Sequence, residues 1–394
     1  MAHDSTDSNV DRSRRKFILA GGAVGTAAIA GCLGDSDDGG SQAGAGLGGS
    51  NSGGSGGAND PLLSDSFDPQ NPDWENNNYL GSKMVEHNYI RGSTADLEAM
   101  GNRGREEAVY GRAPRERPTD SSEWIDPDPI VYADLPREDT QQAYADQIEP
   151  MIEKLEAETG RNVEFQTIDS YAAVVEGMRS ERIHIANFAT GNTPFGVNMA
   201  GMVPLATGVA GDGQFGYRLL AIARADMDDI QSVADFNDYR AAHTETSSNS
   251  GNQAPSALFD EHFGLTNGDN YDPEMSGGHE QSARGIAYGD YDCGPICSTC
   301  WEQTVEAVDD ISFDDFKVVW AADPYPPGPI GLRFNLHEEI FEGARETWLN
   351  TDWTGTSYAE AAYPQFVEVD YINHWNDVMV AQQFNGVEYD EEDL

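Results

Sequence analysis

The chain has 394 residues, enough for two or three lobes with cores of their own. It carries 69 acidic residues against 23 basic ones, a formal charge of −46, and its only lysines are Lys16, Lys83, Lys154 and Lys317. A field of this sign repels nucleic acid and anionic lipid and excludes both as partners, while acid excess with lysine depletion fits molar salt, where the Debye length is about 3 Å.

Residues 1–33 read as an address. Asp11-Arg12-Ser13-Arg14-Arg15-Lys16-Phe17-Ile18-Leu19 precedes a small-residue apolar run and resembles a twin-arginine export signal, which moves folded proteins across a membrane. The run from Phe17 to Leu33 is too short and too rich in Gly and Ala for a membrane-spanning helix. Ile29-Ala30-Gly31-Cys32 resembles a lipobox, which would leave Cys32 as the lipidated N-terminus; the alternative is a short signal-anchor with an incidental cysteine. Residues 34–60, almost all Gly, Ser, Asp, Asn and Ala, form a flexible tether suited to hold a folded domain off a membrane surface. Residues 61–128 form an extension whose role the sequence leaves unassigned. It holds one expected helix, Thr94 to Ala108, and Trp74, Tyr79, Tyr89, Tyr110 and Trp124 as anchors to the main body.

From Pro129 the pattern alternates. Ile130–Ala133 is an apolar strand, and a helix follows from about Thr140 to Thr159, with Gly160 as its stop and Pro150 expected to kink or divide it. Val163–Ile168 is a strand, Tyr171–Ser180 a helix and Ile183–Phe188 a strand again, which describes a parallel α/β sheet. Such sheets bind ligands beyond the carboxyl ends of their strands, here the loops after Ala133, Ile168 and Phe188. Tyr217–Arg224 is an apolar strand, and a second unit begins near Ala225. Within it, Thr244-Glu245-Thr246-Ser247-Ser248-Asn249-Ser250-Gly251-Asn252-Gln253-Ala254-Pro255 crowds hydroxyls and amides before a helix through Leu258, Phe259 and Phe263. That is either an over-supplied helix cap or an oxyanion site built on unpaired N–H donors.

Several stretches recur in an ordered series: Tyr217–Arg224, Ser232–Phe236, Ser248-Asn249-Ser250-Gly251, Gly278-His279-Glu280-Gln281-Ser282-Ala283, Gly289-Asp290-Tyr291-Asp292, and Val318–Ala321 before a proline-rich turn. Together they resemble the phosphate, phosphite and phosphonate-binding proteins of ABC importers, the PhnD-like family, over roughly residues 129–350. The resemblance implies a type II periplasmic-binding-protein fold, two α/β lobes joined by two crossovers with the ligand in the cleft. Residues 129–222 and 322–394 would form lobe one and residues 223–321 lobe two.

The same resemblance implies a site. Ile168-Asp169-Ser170-Tyr171-Ala172 matches the place of a ligand tyrosine, Tyr171, and Ser248, Asn249 and Ser250 match the family's Ser-Thr-Ser-Gly turn with Asn in the middle. His279 matches a ligand histidine, against the alternative of a capping role. The family's aromatic Gly-Pro turn is replaced by Phe188-Ala189-Thr190-Gly191-Asn192-Thr193-Pro194-Phe195, which still offers Thr190, Asn192 and Thr193. A carboxylate that meets the ligand amine in aminophosphonate binders aligns with Gly328, so phosphate, phosphite or a small alkylphosphonate is expected to be preferred.

Cys293, Cys297 and Cys300 suggest a zinc or redox site, but zinc wants four ligands and no second cluster appears. In an exported protein a disulfide from one pair is expected, with a third thiol left over. No nucleophile elbow, Gly-x-x-x-x-Gly-Lys loop or metal-spaced carboxylate cluster is present, so neither catalysis nor a cofactor or metal is expected. The expected protein is a monomeric, lipid-anchored, extracytoplasmic binding protein serving an ABC permease and ATPase. The rivals are the same fold serving another solute or a sensor, and an exported enzyme.

Overall fold

The computed structural model describes residues 63–134, 141–168 and 170–390. The twin-arginine segment, Cys32 and the tether lie outside the described residues, and among those described no helix is long and apolar enough to cross a membrane.

Two sheets organise the chain. In the first, Val163–Thr167, Ile130–Asp134 and Ile185–Asn187 run parallel, as the alternation of strands and helices requires. The sheet is mixed rather than wholly parallel, because Pro329–Arg333 returns from far along the sequence and pairs antiparallel between Ile185–Asn187 and Met202–Val209. The helix Gln141–Thr159 covers this sheet undivided despite Pro150, with Tyr144, Ile148, Met151 and Leu155 buried against Glu338–Leu349. Gly160 ends it in the left-handed region (φ 66°).

The second sheet repeats the scheme. Leu219–Arg224 lies antiparallel between Cys293–Cys297 and Phe316–Ala321, and a parallel bridge from Ala241 to Cys293 leads on to the pair Ala242–His243 and Glu274–Met275. In each sheet, therefore, the inserted antiparallel strand is the one that receives the chain as it arrives from the other sheet. The two arrivals touch: Tyr217 N–H donates to Tyr325 O at 3.1 Å and Tyr325 N–H to Tyr217 O at 2.8 Å. Gly216, at φ 68°, allows this, since a Cβ there would lie 2.0 Å from Tyr325 O.

Leu219–Arg224 sits wholly in the second sheet, so the first crossover falls at Gly216–Arg218, ahead of the 222/223 boundary expected from the sequence. The last helix of the C-terminal segment is shared between the lobes: Asn376–Asn385 packs against Ala254–Phe263 of the second unit. Asn385 Nδ2 donates to Gln253 O at 2.8 Å, while Gln382 Nε2 donates to Gly191 O in the first unit at 2.7 Å.

The extension straps both units. Phe67, Trp74, Tyr79 and Tyr89 form an edge-to-face cluster on the second, where Tyr79–Leu80 adds a strand beside Phe316–Ala321 and the Arg218 guanidinium lies 4.2 Å from the Tyr89 ring centre. The chain then crosses, Gly92–Ser93 pairs with Gln214–Phe215, and Ile125 N–H donates to Asn335 O at 2.8 Å on the first unit. The helix here spans Thr94–Gly101, shorter than the Thr94–Ala108 expected. Asp96 closes its start through a 2.7 Å bond from Ser93 N–H, and Gly101 with the positive-φ Gly104 stops it.

Candidate functional site

The loops after the first-unit strands face those of the second. Tyr171 opens the helix Tyr171–Arg179, where Ser170 Oγ caps Ala173 N–H at 3.2 Å. Asn192, wholly buried, donates through Nδ2 to the Tyr171 carbonyl at 3.2 Å and leaves its Oδ1 without a partner. The hydroxyl protons of two expected ligand residues are spent on the backbone: Thr190 Oγ1 donates to Pro326 O and Thr193 Oγ1 to Ala189 O, each at 2.8 Å. Between them Gly191 meets the second unit, and a Cβ there would lie 2.2 Å from Ser247 O and 2.5 Å from Asn249 N. The two units are in contact at this point.

The hydroxyl-rich stretch of the second unit folds into a wide helical turn, Asn249–Gln253, that runs directly into Ala254–Phe263. Such i to i+5 turns occur often at functional sites. Ser248 Oγ accepts from Gly251 N–H at 3.3 Å, Asn249 Nδ2 donates to the Tyr217 hydroxyl at 3.1 Å, and Ser250 is buried in the same turn. Thr244 Oγ1, Ser247 Oγ and Asn249 Oδ1 are buried with no hydrogen-bond partner. Unpaired buried polar groups are costly, so a cluster of them is the mark of a place prepared for a ligand or ordered water.

His279 is the first residue of the helix His279–Tyr288. Its Nδ1 accepts from Cys297 N–H at 3.2 Å, and its Nε2 lies 3.3 Å from Ser248 Oγ. Burial pulls its pKa from 6.5 down to about 4. A neutral ring that accepts at Nδ1 carries its proton on Nε2, which makes His279 an uncharged donor aimed at the Ser248 turn. Burial, and after it the nearby Cys300, Glu245, Cys297 and Tyr217, pushes the Tyr171 phenol well above its ordinary range, so it too remains a neutral donor. Glu245, Cys297 and Cys300 of the second unit are thus near enough to Tyr171 of the first to act on its titration.

Tyr171, Asn192, Ser248, Asn249, Ser250 and His279 thus come together, while Thr190 and Thr193 brace the first-unit loop. The sequence reading missed Ser247, although it lies inside the stretch singled out. It also missed Glu245, whose carboxyl is raised by burial, and Tyr217, which looks from sequence like any strand residue. Gly328 has a steric reason: a Cβ there would lie 1.7 Å from Phe188 O, so no carboxylate side chain fits at that position.

The family described as the ABC transporter, phosphonate, periplasmic substrate-binding protein matches residues 134–372, more than half of the chain. The chain belongs to this family. It is 34% identical over 209 residues to the phosphate-import protein PhnD of Mycolicibacterium smegmatis, an alignment covering 50% of this chain and 64% of that protein. Among solved structures it resembles a binding protein component of an ABC phosphonate transporter from Pseudomonas aeruginosa (TM-score 0.56, 20% identity, 66% of this chain and 86% of that one). It also resembles PhnD1 of Prochlorococcus marinus in complex with methylphosphonate (TM-score 0.52, 14% identity, 66% and 99% covered). The fold is that of the type II periplasmic binding proteins, and the family is one of transport substrate-binding proteins.

Proposed function

We propose that this chain is the extracytoplasmic solute-binding component of an ABC importer, closing on a phosphorus oxyanion between its two lobes and delivering it to a permease and ATPase. One observation carries the reading: the buried, unpartnered Ser247 hydroxyl and the neutral His279 donor lie at the Ser247–Asn249 turn that Gly191 meets, and the unpartnered Oδ1 atoms of Asn192 and Asn249 can accept the proton of a hydrogenphosphate or phosphonate oxygen. Neutral donors suit an anion in a protein of charge −46, because each N–H or O–H can shorten onto charged oxygen without a buried cation to desolvate. The ligand set we propose is Tyr171, Asn192, Ser247, Ser248, Asn249, Ser250 and His279. Thr190 and Thr193 hold the loop that carries Asn192.

The favoured ligands are phosphate, phosphite and small alkylphosphonates. A second reading has one observation behind it: the desolvated Glu245 carboxyl beside Tyr171 suits a ligand that brings its own N–H or O–H donor, such as an aminoalkylphosphonate. Dissociation constants in molar salt for phosphate, phosphite, methylphosphonate and 2-aminoethylphosphonate separate the two. Tightest binding of the amino compound overturns the stated preference, and binding of none overturns the function.

The export form is proposed from the N-terminal sequence alone: twin-arginine translocation, a lipid on Cys32, and a monomer tethered to the outer face of the membrane of a cell living in molar salt. Mass spectrometry of the mature protein tests it, and an N-terminus other than a lipid-modified Cys32 overturns the anchor.

A further inference from the structure

Two thiols stand in the cleft wall that the proposed capture of an oxyanion does not use. Cys297 ends the strand Cys293–Cys297 and caps the ten-residue helix Ser298–Ala307, its Sγ accepting from Cys300 N–H at 3.3 Å and lying 3.3 Å from Thr299 Oγ1. The two sulfurs and one ring nitrogen of His279 all lie within 4.8 Å of one another. Cys293 cannot join them: it sits four residues back along an extended strand, about 13 Å away, buried in the core. Among the described residues no disulfide joins Cys293, Cys297 or Cys300.

The cluster is a poor fit to a metal. The Nδ1 lone pair of His279 is taken by Cys297 N–H and its Nε2 carries the proton, so the ring presents no lone pair and two sulfurs alone do not make a tetrahedral site. It is a good fit to thiol chemistry. Two cysteines three apart across a helix N-terminus, the first held by N–H and O–H donors, is an arrangement that favours the thiolate. Burial pushes the Cys297 thiol up, but the bonds from Cys300 and Thr299 outweigh it and hold the thiol below its ordinary range. The groups facing it are His279, Tyr171, Tyr217 and Cys300, with Glu245 beside Tyr171.

We propose that Cys297 and Cys300 are a redox pair that closes reversibly into a disulfide in the wall of the cleft, and that this closure strengthens the hold of the neighbouring His279 and Ser248 donors on an anion. The second half rests on the oxyanion reading. The oxidant is a small disulfide, RSSR. The more exposed Cys300 gives its proton to solvent and attacks one sulfur, the RSSR bond breaks, and one thiolate leaves. The Cys297 thiolate then attacks Cys300 Sγ, expelling the second. Two cysteine thiols lose two electrons and two protons, and RSSR becomes two RSH. Closure removes the Cys297 thiol and any thiolate it forms from beside the bound anion and releases the N–H of Cys300 and the hydroxyl of Thr299 from that sulfur, and both changes favour an anion.

The full chain, equilibrated with oxidised or reduced glutathione near the ordinary thiol pKa of about 8.5, tests this. Peptide mapping after acid quenching is expected to join Cys297 to Cys300 in the wild type and in Cys293→Ser, with neither Cys297→Ser nor Cys300→Ser forming an internal bridge. Two unmodified thiols under oxidised glutathione, or a bridge through Cys293, overturn the pair. Inorganic phosphate is expected to bind the oxidised wild type about tenfold more tightly than the reduced, with no redox response in Cys300→Ser. Equal affinities overturn the effect on binding. If phosphate binds neither form, the oxyanion reading falls and the effect on binding falls with it, while the mapping still decides the pair.

Discussion

His279→Ala probes the central idea that the site works through uncharged donors. The substitution removes one Nε2–H that would point at a charged oxygen, and a hydrogen bond to a charged group is worth about 1.5–3 kcal/mol. At about 1.4 kcal/mol per decade, phosphate affinity is expected to fall ~10- to 150-fold. The change also strips Cys297 N–H of its acceptor, but that loss is shared by the bound and unbound states and shows in the thermal midpoint instead. Titration calorimetry in molar salt gives the affinity, and thermal unfolding without ligand separates the two effects. The charge state has its own readout, because a ring with a pKa of about 4 gives the nitrogen-15 signature of the neutral Nε2–H tautomer at pH values where an ordinary histidine is half charged. A folded His279→Ala protein that binds within threefold of wild type, or an imidazolium signal from His279 near pH 6, refutes the reasoning.

Gly191→Ala puts a methyl where Ser247 O and Asn249 N already sit, so the lobes are expected to stay apart; scattering should show no compaction with phosphate and affinity should drop more than tenfold, whereas normal compaction contradicts the close approach. His243 is wholly buried, and its pKa is pulled from 6.5 to about 4 by burial. Because the folded value lies below the unfolded one, protonation favours the unfolded chain: stability is full above about pH 6.5 and falls by about 3 kcal/mol for this ring as the pH drops through about 4. Denaturant titrations across that range check it, and His243→Asn should flatten that part of the profile. Glu245→Gln is expected to cost 2-aminoethylphosphonate affinity and leave methylphosphonate affinity level or improved; the reverse order would remove Glu245 from the cleft. Dilution to ~0.1 M salt is expected to weaken phosphate binding as repulsion from the −46 charge is unscreened, and unchanged or tighter binding contradicts that.

Much was legible before the fold. Apolar periodicity located the strand Ile130–Asp134, the helix Gln141–Thr159 and the helix Tyr171–Arg179 to within a residue or two, because these depend on neighbours three or four positions apart. The same local reading missed Met202–Val209 and Pro329–Arg333, two strands whose partners lie far along the sequence. It also gave the C-terminal helix to lobe one, although that helix is held from both sides.

The sequence by itself determined the kinds of group available: a turn of hydroxyls and amides ahead of a helix, a histidine opening another, a Cys-x-x-Cys, and a net charge of −46 that says little about the ligand. Only the tertiary structure decided their chemistry. It spent the hydroxyl protons of Thr190 and Thr193 on the backbone and brought Glu245 within electrostatic reach of Tyr171. It closed Gly191 onto Ser247 and fixed His279 as a neutral Nε2–H donor through a single bond from Cys297 N–H. Donor direction and protonation depend on burial and on partners brought from more than a hundred residues away in the case of Tyr171 and Cys297, and nothing in a local stretch of sequence carries that information.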